Sequence, residues 1–87
     1  MHAVVVRVTV SDEEPALKQL REQVVPSVSQ IPGFVTGYWT RKGNSGLSIA
    51  VFESEDAANA AGERVQGGVP DGVTLEGVEV REVVANA

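Results

Sequence analysis

The 87-residue chain contains no cysteine and only one histidine, one tryptophan and one tyrosine. Without cysteine, neither a disulfide nor a thiolate metal site can support so small a fold. The single histidine, His2, lies beside the N-terminus. Nucleophilic chemistry needs a nucleophile, a base and an orienting group in mutual reach, and His2 has no evident partners. Any metal site would have to be assembled from scattered carboxylates, so none is expected. Basic residues are also sparse: seven Lys and Arg stand against twelve Asp and Glu, for a net charge of −5 and a pI near 4.7. They form no stripe, and an acidic surface repels phosphates and anionic membranes, so neither nucleic acid nor membrane is an expected partner. No stretch approaches the roughly 20 apolar residues of a transmembrane helix. The segment "HAVVVRVTV" lacks the basic region and cleavage site of a signal peptide, and Arg7 interrupts its apolar run. A cytoplasmic location is the default expectation.

What the chain does contain is ordinary for a globular domain: 43% hydrophobic and 22% charged residues. Residues 1–87 suffice for one domain with a modest core, and self-association is the remaining way to hide apolar surface. Ala3 to Val10 is rich in β-branched residues and reads as a central strand, with Val4, Val6, Val8 and Val10 on one face and Ala3, Val5, Arg7 and Thr9 on the other. Ser11 and Glu14 have the spacing of a capping box, and Asp12, Glu13 and Glu14 suit the positive end of a helix dipole. Leu17, Leu20, Val24 and Val28 then recur at three- and four-residue steps as one apolar stripe. Pro26 is expected to kink this helix or split off its last turn, and Pro32-Gly33 to end it.

Phe34 to Arg41 and Leu47 to Phe52 read as two strands joined by the turn "KGNSG". Ser54 caps a second helix running to about Gln66, whose inward residues Ala57, Ala58, Ala61 and Val65 contribute little bulk. "GGVPDG" breaks the chain. Val73 to Val84 forms the last strand, with Val78, Val80 and Val84 on one face and Glu76 and Glu82 interrupting it. The order β-α-β-β-α-β is that of an α+β, ferredoxin-like fold: a four-stranded antiparallel sheet with two helices on one face. The other face would expose Ala3, Val5 and Arg7, with either Val35, Gly37 and Trp39 or Phe34, Thr36 and Tyr38. An apolar patch of that kind marks an interaction surface, and a homodimer stacked through it is expected.

The β-α-β-β-α-β order, the helix ending in "PGF" at Pro32 to Phe34, and "VFESEDAANAA" from Val51 to Ala61 resemble the antibiotic biosynthesis monooxygenase-type proteins of the dimeric α+β barrel superfamily. The resemblance spans nearly the whole chain. It implies a dimeric α+β barrel and a pocket between the sheet and its helices. It further implies, for some members, cofactor-independent oxygenation of aromatic polyketide-like substrates, and for others haem degradation with a histidine, an asparagine and a tryptophan. His2 and Asn44, Asn59 and Asn86 do not reproduce that last set, so no haem or other cofactor is expected.

Tyr38 and Trp39 match the aromatic residue types of the quinone-forming oxygenases. As neighbours in a strand they point to opposite faces, so one belongs to the pocket and the other to the dimer side, in either order. Tyr38 as a hydrogen-bond donor or acid and Arg7 as an anion stabiliser are the candidate catalytic residues. Tyr38, Trp39, Phe34 and Phe52 are the candidate ligand-binding residues. Val5, Arg7, Val35 and Trp39 are the candidate dimer interface. Structurally, Arg7 would pair with Glu79 or with the dimer mate, and Arg41 would be a solvated rim residue. Three functions are compatible with these residues: a binder of a small hydrophobic or aromatic metabolite, a cofactor-independent monooxygenase, or a non-catalytic interaction module.

Overall fold

The computed structural model describes residues 1–11, 13–68 and 72–87. Strand β1 (His2–Val10) leads into α1 (Glu13–Gln19), a π-helical turn (Leu20–Val24) and α2 (Val25–Ser29). Strands β2 (Phe34–Lys42) and β3 (Ser45–Phe52) form a hairpin, followed by α3 (Glu55–Gly67) and β4 (Val73–Glu82). The sheet order is β2-β3-β1-β4, antiparallel throughout, as in a ferredoxin-like α+β arrangement. The helices pack on one face.

Local chemistry accounts for each boundary. The hairpin closes on two residues, Gly43 and Asn44, with Lys42 opposite Ser45. Gly43 has φ +60°, the left-handed value that a primed two-residue turn requires. Ser54 caps α3, its hydroxyl oxygen accepting the Ala57 N–H at 3.1 Å. The expected capping role of Ser11 differs: its hydroxyl donates to the Gly72 carbonyl at 3.0 Å, tying the end of β1 to the start of β4. Asp12 and the turn residues Val69 to Asp71 lie outside the described residues.

Pro26 acts one step earlier than a simple kink. It has no N–H for the carbonyl four residues back, and the turn ahead of it is wound wider. There the Val25 N–H reaches the Leu20 carbonyl, a five-residue step. The helical run passes from α1 to α2 without a gap, and the proline sits in the first turn of α2.

Two bulges alter the simple alternation of side chains. In β2 the register slips between Phe34 and Thr36, so Val35 is the extra residue. Phe34 therefore joins Gly37 and Trp39 on the helix side, and Thr36 and Tyr38 take the opposite face. In β4 the slip falls opposite Arg7 and Val8, making Glu76 the extra residue. Leu75, Val78 and Val80 then share the core face, which Glu76 leaves uninterrupted. Val84 lies beyond the strand and is exposed.

The core is built at one end of the helix–sheet layer. Phe52 is completely buried and meets Phe34 edge-on, ring centroids 5.8 Å apart. Val4, Val6, Ile31, Ala50, Ala58 and Ala61 complete it. Small residues allow close approach here. Gly62 of α3 lies directly over Val78, Val80 and Val4, and Gly33 rests against the Cβ of Ala57. Gly33 has φ +89°, and its carbonyl accepts the Glu53 N–H at 2.8 Å, which fixes the "PGF" turn against the start of α3.

These two glycines should respond oppositely to substitution. Gly33→Ala places a side chain at a positive φ with Ala57 only 3.1 Å away, and a loss of about 1–2 kcal/mol is expected. Gly62→Ala meets its neighbours at ordinary contact distance from 3.6 Å and improves helix propensity, for a gain of about 0.5–1 kcal/mol. Urea unfolding of both variants checks the pair. A loss at Gly62 as large as that at Gly33 would contradict the described packing of α3.

Candidate functional site

Away from Phe52 the layer is not filled. A cavity of about 540 Å³ lies between the sheet and the helical run of α1 to α2, with α3 forming its far wall. Its floor is the inner face of β1, Val4, Val6, Val8 and Val10, with Gly46, Ser48 and Ala50 of β3 beside it. Its roof is the apolar stripe Leu17, Leu20, Val24 and Val28. The stripe lies on one helix face, as its spacing requires. These residues are only partly buried, because they face open space instead of the sheet.

The cavity has a cause in the sequence. Successive inward positions of β3 are Gly46, Ser48 and Ala50, so this strand raises no large side chain toward the helix until Phe52. On α3 the inward residues are Ala58, Ala61 and Gly62. Five of the nine buried hydrophobic residues among those described are alanine. Too little volume is present to fill the layer at the density of a protein interior, and the deficit collects under α1.

Trp39 enters this space from β2. An added Cβ on Gly37 would fall 2.9–3.0 Å from the six-membered edge of its indole, so the ring lies over that glycine. No protein group bonds the indole N–H among the described residues. The polar lining is otherwise Gln19, Gln23, Ser27, Thr40, Ser48, Arg41 and Arg64. Arg41, Arg64, Gln23 and Gly68 are exposed, and they place the mouth at the end of the layer where β2 and α3 finish.

The expected site residues divide between two faces. Trp39 and Phe52 line the cavity, whereas Phe34 packs behind, against Phe52 and Gly37. Tyr38 points to the other face of the sheet and is 65% exposed. It is therefore not a residue of this cavity, and Trp39 cannot anchor a partner on the open face. The bulge at Val35 does not reverse the pair, since strand alternation continues from Thr36 onward. Arg7 also lies on the open face, its guanidinium 2.8 Å from where a Cβ of Gly77 would be. It does not bond Glu79, which is instead held by Arg81 through two nitrogens at 2.9 and 2.8 Å. Tyr38 and Arg7 thus share a face with Val5, Leu47 and Ile49, two strands apart and outside the cavity. Val35 is 46% exposed at its bulge.

His2, beside the N-terminus, does have a partner. Strand β1 starts at His2, whose side chain is 20% exposed with Nε2 3.3 Å from the Glu55 carboxylate at the head of α3. Its Nδ1 is buried without a partner. It does not line the cavity. Among the described residues, no three of His, Asp and Glu come together as metal ligands would. Among the described residues, no helix is long and apolar enough to cross a membrane.

Arg64, Gln19 and Gln23 were not singled out by their sequence context. The small row Gly46, Ser48, Ala50 alternating with Leu47, Ile49 and Val51 was the available signal for a thin wall. No family model matches the chain, and no curated protein matches it.

Gly37→Ala should lift the indole off the strand, since the new methyl and the ring cannot share 2.9 Å. Acrylamide quenching of the single tryptophan is expected to rise while far-UV circular dichroism stays unchanged. Unaltered quenching would place the ring elsewhere.

Proposed function

We propose that this protein binds a small hydrophobic or aromatic metabolite in the cavity under α1, as a subunit of a homodimeric α+β barrel of the antibiotic biosynthesis monooxygenase type. The observation that carries this is the cavity itself. At about 540 Å³ it falls within the usual 300–1,000 Å³ of small-molecule sites. Its walls are valine, leucine and alanine with one tryptophan and a few polar groups at the mouth, the usual make-up of such a site. A non-catalytic module with a barrel filled by its own side chains would leave no such space.

The oxygenase alternative rests on the same cavity. Among the described residues its lining holds no His, Tyr, Asp or Glu that could act as acid or base toward a bound substrate. Oxygen chemistry would have to draw on the electron-rich ring of the substrate itself, with Trp39 and the arginines limited to positioning. Binding is accordingly the primary proposal, and Tyr38 and Arg7 are assigned to the other face.

That other face supports the dimer. Tyr38, Leu47 and Ile49 are 65%, 40% and 38% exposed and lie in adjoining register with Val5. A contiguous apolar face of this kind, rimmed by Arg7 and the Glu79–Arg81 pair, suits a second copy of itself. Opposed copies would cover these side chains and offer Arg7 acidic groups of the mate.

Two measurements test this. A neutral apolar dye such as Nile red should bind saturably to the wild type, and Ser48→Phe, which fills the cavity from β3, should abolish binding while the fold persists. Equal binding by both proteins would show that the dye does not bind in the cavity. In light scattering, the chain should show twice its 9.2 kDa mass, and Ile49→Asp should reduce it to one copy. A monomeric wild type at micromolar concentration would exclude the dimer.

A further inference from the structure

We infer that the cavity selects an apolar ligand carrying one carbonyl oxygen, and that the Ser48 hydroxyl and the Trp39 indole N–H are the two donors that read it. This rests on the binding site proposed above and adds the chemical class of its occupant. Trp39 of β2 is directly opposite Ser48 of β3 in register, and both line the cavity. Directly opposed residues in a sheet have Cβ atoms about 4.5–5.5 Å apart, so the two side chains can serve one ligand atom. On its other side Ser48 is opposite Val6 of β1. The row across the cavity floor is therefore indole, hydroxyl and valine.

Ser48 differs from the other serines of the chain. Ser11, Ser29 and Ser54 spend their hydroxyls on nearby backbone groups, and Ser27 and Ser45 are exposed. Ser48 is half-buried on the floor of an apolar space, and no protein group among the described residues bonds its hydroxyl. The indole N–H is in the same condition. The far edge of the six-membered ring lies over Gly37. That keeps the pyrrole half, with its N–H, near the row that Trp39 shares with Ser48. The remaining neutral polar side chains of the lining are spent or remote. The Thr40 hydroxyl donates to the Leu47 carbonyl at 2.6 Å, and Gln19, Gln23 and Ser27 belong to the helical run across the layer. An indole N–H can only donate and a hydroxyl can donate as well, whereas a carbonyl oxygen has two lone pairs with which to accept both. A hydrocarbon lying on this floor would strip both donors of water and return no bond, which costs more than an average hydrogen bond gains. A carbonyl at the same place replaces that water, while the body of the ligand lies against Val6, Val8 and Leu20.

The test uses a matched pair, naphthyl methyl ketone and isopropenylnaphthalene, which differ only in C=O against C=CH2. Both are titrated against the intact protein by isothermal calorimetry. The ketone should bind about tenfold more tightly, the return on two hydrogen bonds. Ser48→Ala should lower the ketone affinity several-fold without weakening the isopropenyl compound, and Ser48→Thr, which keeps the hydroxyl, should retain the preference. Ser45→Ala, an exposed serine of the same strand outside the cavity, should leave it intact. Trp39→Phe should reduce the preference as Ser48→Ala does. A ketone labelled with carbon-13 at the carbonyl should show its resonance downfield of that in hexane when bound to the wild type, and further upfield in Ser48→Ala. A general loss of packing would not produce that change. Circular dichroism monitors folding; should Trp39→Phe unfold, Ser48→Ala and the carbonyl resonance decide the matter. Equal binding of the two probes would overturn the carbonyl proposal and leave the cavity site standing. Failure of both to bind would overturn the site itself. A ketone preference that survives Ser48→Ala unchanged, or that falls equally with Ser45→Ala, would also overturn the proposal.

Discussion

A helix closes onto a sheet only if the side chains between them fill the gap, and here they do not. The row Gly46, Ser48 and Ala50 puts little volume on the inner face of β3, and Ala58, Ala61 and Gly62 put little on α3. At the other end Phe52, Phe34 and Ile31 fill the layer, and Gly33 clamps the turn after α2 to Ala57. The helical run is therefore held at its C-terminal end and stands off the sheet before it. The cavity, the half-exposed leucine stripe and the entry of Trp39 all follow from that one imbalance of volume.

The same sheet carries a second, separate surface. Strand alternation sends Trp39 inward and Tyr38 outward, so adjacent aromatics serve unrelated tasks. One edge of the indole is seated on Gly37, and the phenol stands among Ile49 and neighbouring apolar groups in the open. Arg7 belongs to this outer surface too, flattened over Gly77. A charge in the middle of a strand is tolerable there because it reaches solvent, and an unpaired buried one would not be.

The order of strands and helices was legible because its signals are local: β-branched runs, the Ser54 cap, the glycine at the hairpin and the alanine face of α3. The two bulges were not, since nothing about Val35 or Glu76 announces an extra residue. They decide which residues join Phe34 and Leu75 on the inner face. The pairing of Tyr38 and Trp39 with their faces was left open by periodicity alone, as only the register against β3 resolves it. The small residues of α3 hinted at unfilled space beside the sheet, but Arg64 was invisible. A lone arginine in the last turn of a helix has a sufficient local reason to be there, and only the fold brings it opposite Arg41. The wide turn before Pro26 was likewise hidden, because a proline signals a missing hydrogen bond without saying how the helix adjusts.

Methyl-resolved NMR with a small apolar probe reports whether an accessible apolar space separates the helical stripe from the inner sheet face. Saturable shifts are expected at Val8, Leu20 and Val65 together, with Val5 and Ile49 on the outer face unmoved. Shifts confined to Val5 and Ile49, or none at Val8 and Leu20, would contradict it.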